Sequence, residues 1–385
     1  MPEYKERYTC AAVPCESYEG AAAALARALL AIGGLDFITP GMKVVIKANL
    51  VAPMAPSACA TTHPALLTAL TEMLVSRGAK VVIGDSPGGP FTKAALAANY
   101  RITGMHEAEK AGAELNRNVD SHTITINGKA MRRLTYTDYL DEADAIIDFA
   151  KLKAHGMMGM SAAVKNMYGV IPGLVKPETH YLYPDVNDFA DMLIDINEHF
   201  KPVLSLIDAV DGMEGNGPTA GTPRHIGAVI ASLSPYEADA VAARLIGLDE
   251  SGVPTLAAAK RRGLCDNDLS HIALYGDPDS IAVPDFESVP RQSISFFKGS
   301  KLNFVGVAIE KLLEQKPEPI KEKCVACGKC ASLCPAKAIT FIEKGGRKYP
   351  HIDRKKCIRC FCCQEFCPKA AMVVHRALVS NLLHR

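Results

Sequence analysis

Lys43-Val44-Val45-Ile46-Lys47 and Lys80-Val81-Val82-Ile83-Gly84 are two short β-branched runs, and the residues between them decide the fold. Thr62-His63-Pro64 opens a helix there, with proline near its first turn. Leu67, Leu70 and Leu74 form its apolar stripe and Gly78 stops it. Strand, helix, strand is a βαβ unit, so the two strands run parallel through a right-handed crossover. The alternation continues outward. Residues 145–149, 203–207 and 226–231 read as further strands. Asp185 caps a helix with the stripe Val186, Phe189, Leu193, Ile196 and Phe200, and Ser234-Pro235-Tyr236-Glu237 is a capping box before another. The fold class is α/β, with a parallel or mixed sheet, helices on both faces and two lobes, over residues 1–314. Residues 315–319, charged and proline-containing, read as a linker. Residues 320–385 form a small C-terminal α+β domain.

The composition is that of a globular protein, 48% hydrophobic and 22% charged over 385 residues. That excludes a disordered, collagen-like or coiled-coil chain. Lys+Arg is 43 and Asp+Glu is 42, so no overall field favours nucleic acid or an anionic membrane. The first nine residues lack the apolar core of a signal peptide. The longest apolar run, 20–34, contains Arg27 and is too short to span a bilayer. The expected compartment is the cytoplasm.

Nine of the 13 cysteines lie between Cys324 and Cys367. They form an internal repeat: Cys324-x2-Cys327-x2-Cys330-x3-Cys334-Pro335 and Cys357-x2-Cys360-x2-Cys363-x3-Cys367-Pro368. This is the spacing of bacterial two-cluster ferredoxins, in which the fourth cysteine of each run crosses to the other cluster. Cys324, Cys327, Cys330 and Cys367 should hold one [4Fe–4S] cluster, and Cys357, Cys360, Cys363 and Cys334 the other. Zinc is the competing reading of any thiolate set, but two full copies of this form are unlike zinc ribbons. Cys362, beside Cys363, reads as a bystander thiol.

In open parallel sheets, ligands bind beyond the carboxyl ends of the strands. Four strands here end in polar groups: Lys47-Ala48-Asn49; Asp85-Ser86; Lys151-Leu152-Lys153-Ala154-His155; and Asp208 with Asp211. Lysines at strand ends point to an anionic substrate, bound by Lys47, Asn49, Asp85, Lys153, Asn166 and His180. His155 is the candidate general acid/base, with Lys165 the second candidate catalytic residue. Met157, Met160, Val164 and Met167 follow helical spacing, which places His155 just before a helix and sends His180 into the loop beyond it. His63, His155 and His180 could then meet over the sheet. Gly84-Asp85-Ser86-Pro87-Gly88-Gly89 breaks GxGxxG and no GxxxxGK[ST] is present, so neither a Rossmann fingerprint nor an ATPase is expected. Flavin, which often lacks a local motif, stays open as a second cofactor.

These motifs resemble the iron–sulfur family catalogued as domain-of-unknown-function family 362. The matching residues are Lys47-Ala48-Asn49-Leu50, Thr62-His63-Pro64, Gly84-Asp85-Ser86-Pro87, Lys151-Leu152-Lys153-Ala154-His155, Ala163-Val164-Lys165-Asn166 and Asp208-Ala209-Val210-Asp211-Gly212. The resemblance covers about residues 40–250, and Ala48 stands where that family usually has proline. His155, Gly156, Gly159, Lys165, Pro172 and Gly173 are also similar to the nickel-dependent lactate racemase family. That similarity implies an acid/base role for His155, a cofactor-holding role for Lys165 and a nickel-binding role for His180. The double glycine of that family is Ala163-Val164 here, so the resemblance implies a shared fold rather than a shared cofactor.

Together these readings describe an iron–sulfur oxidoreductase whose ferredoxin domain exchanges electrons with a substrate or cofactor at the sheet edge. The partner is a small anionic molecule or a redox protein. The alternative is an electron-carrier or docking subunit of a larger redox complex, with no catalytic site of its own.

Overall fold

The computed structural model describes residues 8–288 and 316–375. The expected boundary at residue 314 lies outside the described residues. In chain order the strands are β1 (Cys10–Pro14), β2 (Lys43–Ala48), β3 (Lys80–Gly84), β4 (Glu114–Leu115), β5 (Ser121–Thr125), β6 (Arg133–Thr137), β7 (Ala145–His155), β8 (Gly159–Ser161), β9 (Leu204–Glu214), β10 (Thr222–Ser232) and β11 (Leu274–Tyr275). The C-terminal domain adds β12 (Lys316–Pro319), β13 (Ile339–Lys344), β14 (Arg347–Ile352) and β15 (Met372–His375).

One mixed sheet runs through the body in the order β11-β1-β10-β9-β7-β2-β3-β4, with β8 paired to β7. It is continuous, so the two lobes expected from the sequence are not a division of the sheet. β2, β3, β7 and β9 are parallel neighbours and deliver their carboxyl ends to one edge. Strand alternation splits their side chains between two cores. Val44, Ile46, Val81, Ile83, Ile147 and Phe149 pack with the helices Ala21–Ala31 and Pro64–Val75. Val45, Val82 and Ile146 pack on the other face with Val186–Phe200.

Two expectations change. The Met157–Met167 segment is not one helix. β7 continues to His155, turns, and returns as the antiparallel strand β8; only a short helix, Ala163–Asn166, follows. Met157, Met160, Val164 and Met167 are all buried, but so are the residues between them. In a run buried on every side the 3-4-3 spacing carries no helical information. Residues 316–319 are likewise not a free linker, because they pair antiparallel with β15 and belong to the C-terminal domain.

That domain packs on the body at the carboxyl edge of the sheet. Phe361 enters the body core that contains Met158, Tyr168 and Phe189, with Val374 packed against it. A Cβ on Gly88 would collide with the Phe366 ring, so glycine is what admits this close approach. No helix of the described residues is long and apolar enough to cross a membrane.

Candidate functional site

The strand ends build one polar network. Lys47, fully buried, pairs with Asp85 at 2.8 Å and donates to the Ala48 carbonyl at 2.8 Å. The Asp85 carboxylate also accepts from Leu50 N (2.6 Å) and Ser86 N (2.8 Å). Asn166 links β2 and its end to β7: its Oδ1 accepts from Asn49 Nδ2 at 2.8 Å, and its Nδ2 donates to the Lys47 carbonyl (3.0 Å) and Asp148 Oδ1 (2.6 Å). Gly169 lies so close that a side chain there would strike both Asp85 and Lys47.

Lys151, Lys153 and His155 alternate along β7 with Leu152 and Ala154, which face the apolar core. Lys153 Nζ donates to Asn49 Oδ1 and the Ala60 carbonyl, both at 2.7 Å. Burial, reinforced by Lys165, pulls its pKa down to about 7. Lys176 donates to the carbonyls of Ser86 and Ile171, both at 2.6 Å, and burial brings it down to about 7 as well. Lys165 is also lowered by burial, and its ammonium lies 5.4 Å from the Tyr168 ring centroid.

Asn49, Asp85, Lys153, Ser161, Lys165, Asn166, Tyr168, Lys176 and Glu365 line one cleft, with Lys47 directly behind Asp85. Its free space is about 40 Å³. That holds a few waters or a small anion. It is far from the roughly 300–1,000 Å³ of a pocket for a drug-sized ligand. A flavin does not fit this cleft.

His155 and His180 are elsewhere. His155 Nδ1 accepts from Met157 N and Met158 N, both at 3.1 Å, and so caps the β7–β8 turn. Burial, then Lys165 and His180, push it well below the ordinary histidine range. It is neutral, its Nε2 has no partner among the described residues, and it does not line the cleft. His180 is in the helix Lys176–Leu182, not in a loop, and stacks on Phe189 at 4.5 Å. Burial brings it down to about 3. His63 joins neither, because it caps the helix Pro64–Val75 and stacks on Tyr18 at 3.5 Å. The geometry therefore gives none of these histidines the acid/base position in the cleft. Lys153 and Lys165 line the cleft instead.

Sequence reasoning missed Lys176, Ser161, Tyr168 and Glu365. Lys176 carried a signal in Lys176-Pro177, a lysine at a helix start marked by proline. Glu365 carried none, since it comes from the other domain.

Two cysteines have the neighbours that the crossed sets expect. Burial pushes Cys330 up to about 11, with Cys324, Cys367 and Cys327 adding to the rise. Cys357 is raised by burial, then by Cys360 and Cys334. Tetrahedral zinc, with Zn–S of about 2.3 Å, would hold its thiolates roughly 3.8 Å apart. No three cysteine sulfurs of the described residues lie within 4.8 Å of one another. Two runs of four thiols are the donor set of two iron–sulfur clusters, and a coordinated iron would deprotonate these raised thiols outright.

Residues 323–371 match the 4Fe-4S dicluster domain, and residues 44–244 match the family described as Domain of unknown function (DUF362). The chain belongs to the DUF362 family. A thylakoid-associated protein of Synechocystis sp. is 30% identical to it over 305 residues, which cover 75% of this chain and 94% of that one. Among solved structures, the lactate racemase apoprotein from Thermoanaerobacterium thermosaccharolyticum is similar over 58% of this chain and 55% of its own, at 14% identity and TM-score 0.37. A Thermotoga maritima protein is similar over 56% of each chain, at 11% identity and TM-score 0.35. The chain thus spans little more than half the length of these two structures. Within the DUF362 segment lies every cleft residue except Glu365.

Proposed function

We propose that the protein is an iron–sulfur oxidoreductase that exchanges electrons between its C-terminal domain and a small anion bound in the lysine cleft. When bound, two [4Fe–4S] clusters supply one-electron transfer. The reading rests on one observation above all. Glu365, within the second cysteine run, lines the same cleft as Lys153, Lys165 and Lys176. A carrier that only docked would not need its cluster loop in the wall of a cationic pocket.

In this reading Lys165 and Lys176 hold the anion and Asn49 and Asn166 fix the position of Lys153. Lys153, poised near neutrality, gives or takes the proton that accompanies the electron. Phe361 and Gln364 seal the domain against the cleft rim and exclude water. The expected compartment remains the cytoplasm, where the clustered thiols stay reduced. By analogy with the thylakoid-associated Synechocystis relative, the second reading of its location is attachment to a membrane surface.

The test is reoxidation of the anaerobically reduced full-length protein, followed by its visible absorbance, with small anions added one at a time. An anion that speeds reoxidation in the wild type and not in Lys153→Met supports the reading. Anion-independent reoxidation, equal in both, would make the protein an electron carrier without its own site.

A further inference from the structure

Lys165 is 8% exposed and lines the cleft, yet among the described residues its ammonium makes no hydrogen bond and no ion pair. Its ammonium lies over the face of Tyr168, and Glu365 favours its charge across the cleft without forming an ion pair with it. A buried ammonium with no hydrogen-bonded anion is unfavourable. Its neighbours do not relieve it. Lys47 is committed to Asp85. Lys153 and Lys176 reach only neutral oxygens, those of Asn49, Ala60, Ser86 and Ile171. With Lys47 committed to Asp85, the three cleft lysines Lys153, Lys165 and Lys176 share one carboxylate of the lining, Glu365, so two positive charges are uncompensated when all three are protonated.

We propose that the cleft binds a small dianionic oxyanion, whose oxygens take the hydrogen bonds that Lys165 lacks. The charge deficit sets the valence, and the free space of about 40 Å³ sets the size. Two sources share this chemistry: an inorganic tetrahedral oxyanion and a short dicarboxylate. The proposal rests on the electron-transfer reading only for its choice of cleft, and binding is measured apart from electron transfer.

Proton linkage supports it. Lys153 faces Lys165, Glu365, Asp85 and Lys151, and Lys176 faces Asp85, Lys47, Glu365 and Lys165. Both lie near pKa 7 without a ligand. A bound dianion favours their charged forms. Binding at pH 8 should therefore take up protons, and affinity should fall as pH rises above 7.

The experiment uses full-length, cluster-loaded protein under anaerobic conditions. Sulfate, inorganic phosphate, malonate and the monoanion acetate are titrated at matched ionic strength. Calorimetry in two buffers of different ionisation enthalpy reads affinity and proton uptake, and thermal unfolding reads stabilisation. One dianion should bind per chain, at least tenfold tighter than acetate, with proton uptake at pH 8. Sulfate or phosphate ahead of malonate assigns the inorganic class, and the reverse order assigns the dicarboxylate. Lys165→Met should raise Tm without ligand, because it removes an unpaired buried charge, and should abolish the dianion-dependent rise. Lys165→Gln repeats the test if the methionine variant does not fold. The proposal is overturned if acetate matches the dianions, if no dianion-specific response appears, or if Lys165→Met lowers Tm and keeps the response. None of these probes is an oxidant, so dianion binding is scored apart from the reoxidation test, whose failure would overturn the electron-transfer reading alone.

Discussion

Gln364 donates through Nε2 to the carbonyl of Asn216 at 2.7 Å, and to that of Gly217 at 3.1 Å. The bond ties the loop carrying Cys360, Cys363 and Cys367 to the residues just beyond β9. Thr219 donates to the Glu365 carbonyl at 2.9 Å, and Asn216 exchanges bonds with Met372 and Val374 of β15. The segment from Asn216 to Thr219 is therefore a latch between the two domains, next to the cleft that Glu365 enters.

Gln364→Ala should open this latch. Two carbonyls at a buried interface lose their donor, which costs about 1–3 kcal/mol. Amide exchange should accelerate at Val374, whose N–H donates to Asn216 Oδ1, before it does in the central strands. Iron content should not change, since Gln364 is not a ligand. Unchanged exchange at Val374 would sink the idea of a latch.

Phe361→Ala should destabilise the body and not the C-terminal domain alone. The ring is 6% exposed and lies in the body core with Tyr168 and Phe189. Removing a buried phenylalanine costs about 3–5 kcal/mol. A chain ended near residue 315, which the sequence would make a self-contained folded body, loses the same ring and Val374. It should melt earlier than the intact protein and bind an apolar dye. Equal melting temperatures would show the docking to be superficial.

The sheet and the cysteine sets were legible because both rest on local pattern. Val44, Val45 and Ile46 could hardly be anything but a buried strand between two loops, and the cysteine spacing repeats twice. Lys47, Asn49, Asp85, Lys153, Lys165 and Asn166 were legible as neighbours because parallel strands share an edge. What failed was where burial is uniform. From Ala145 to Met167 every residue is buried, so neither the turn after His155 nor the hairpin to β8 leaves a polar mark. His155 and His180 then lost their loop positions, and with them access to the cleft. Glu365 was invisible for another reason: its place depends on how two domains dock, which no spacing records.

Asp239 should give the stability a pH slope. Its carboxylate is buried and accepts from Ala163 N at 2.7 Å, with a longer bond from Val164 N. Burial still pushes its pKa up to about 7. The folded value lies above the unfolded one, so between about pH 4 and 7 the folded state binds the extra proton. This group's contribution is fully present below pH 4 and is lost as pH rises through 7. Three units correspond to at most about 4 kcal/mol. Asp239→Asn keeps an acceptor for Ala163 N and removes the slope. The buried histidines act in the opposite direction, so the comparison is wild type minus variant, by urea unfolding at pH 5 and pH 8. A difference that is the same at both pH values would exclude this group as the source.

The crossed cysteine sets make the last prediction. The Cys363 thiol is raised first by burial, then by Cys360, Cys357, Cys330 and Cys334, so the two runs lie close together, and the crossing itself is what the spacing expects. Cys334 is also held in place from its own side: its Sγ accepts from Ala338 N at 3.3 Å, as Cys367 Sγ does from Ala371 N at 3.2 Å. These paired bonds fix each of the two thiols within its own turn. Anaerobically prepared protein should hold about eight iron and about eight acid-labile sulfide per chain, from two clusters of this spacing. Cys334→Ala should bring this to about half. The surviving signal should be that of the cluster held by Cys324, Cys327, Cys330 and Cys367. Cys367→Ala should spare the other one, and the two half-loaded proteins should differ in their electron paramagnetic resonance spectra once reduced. Zinc without iron under these conditions, or identical spectra from the two variants, would refute the crossed assignment.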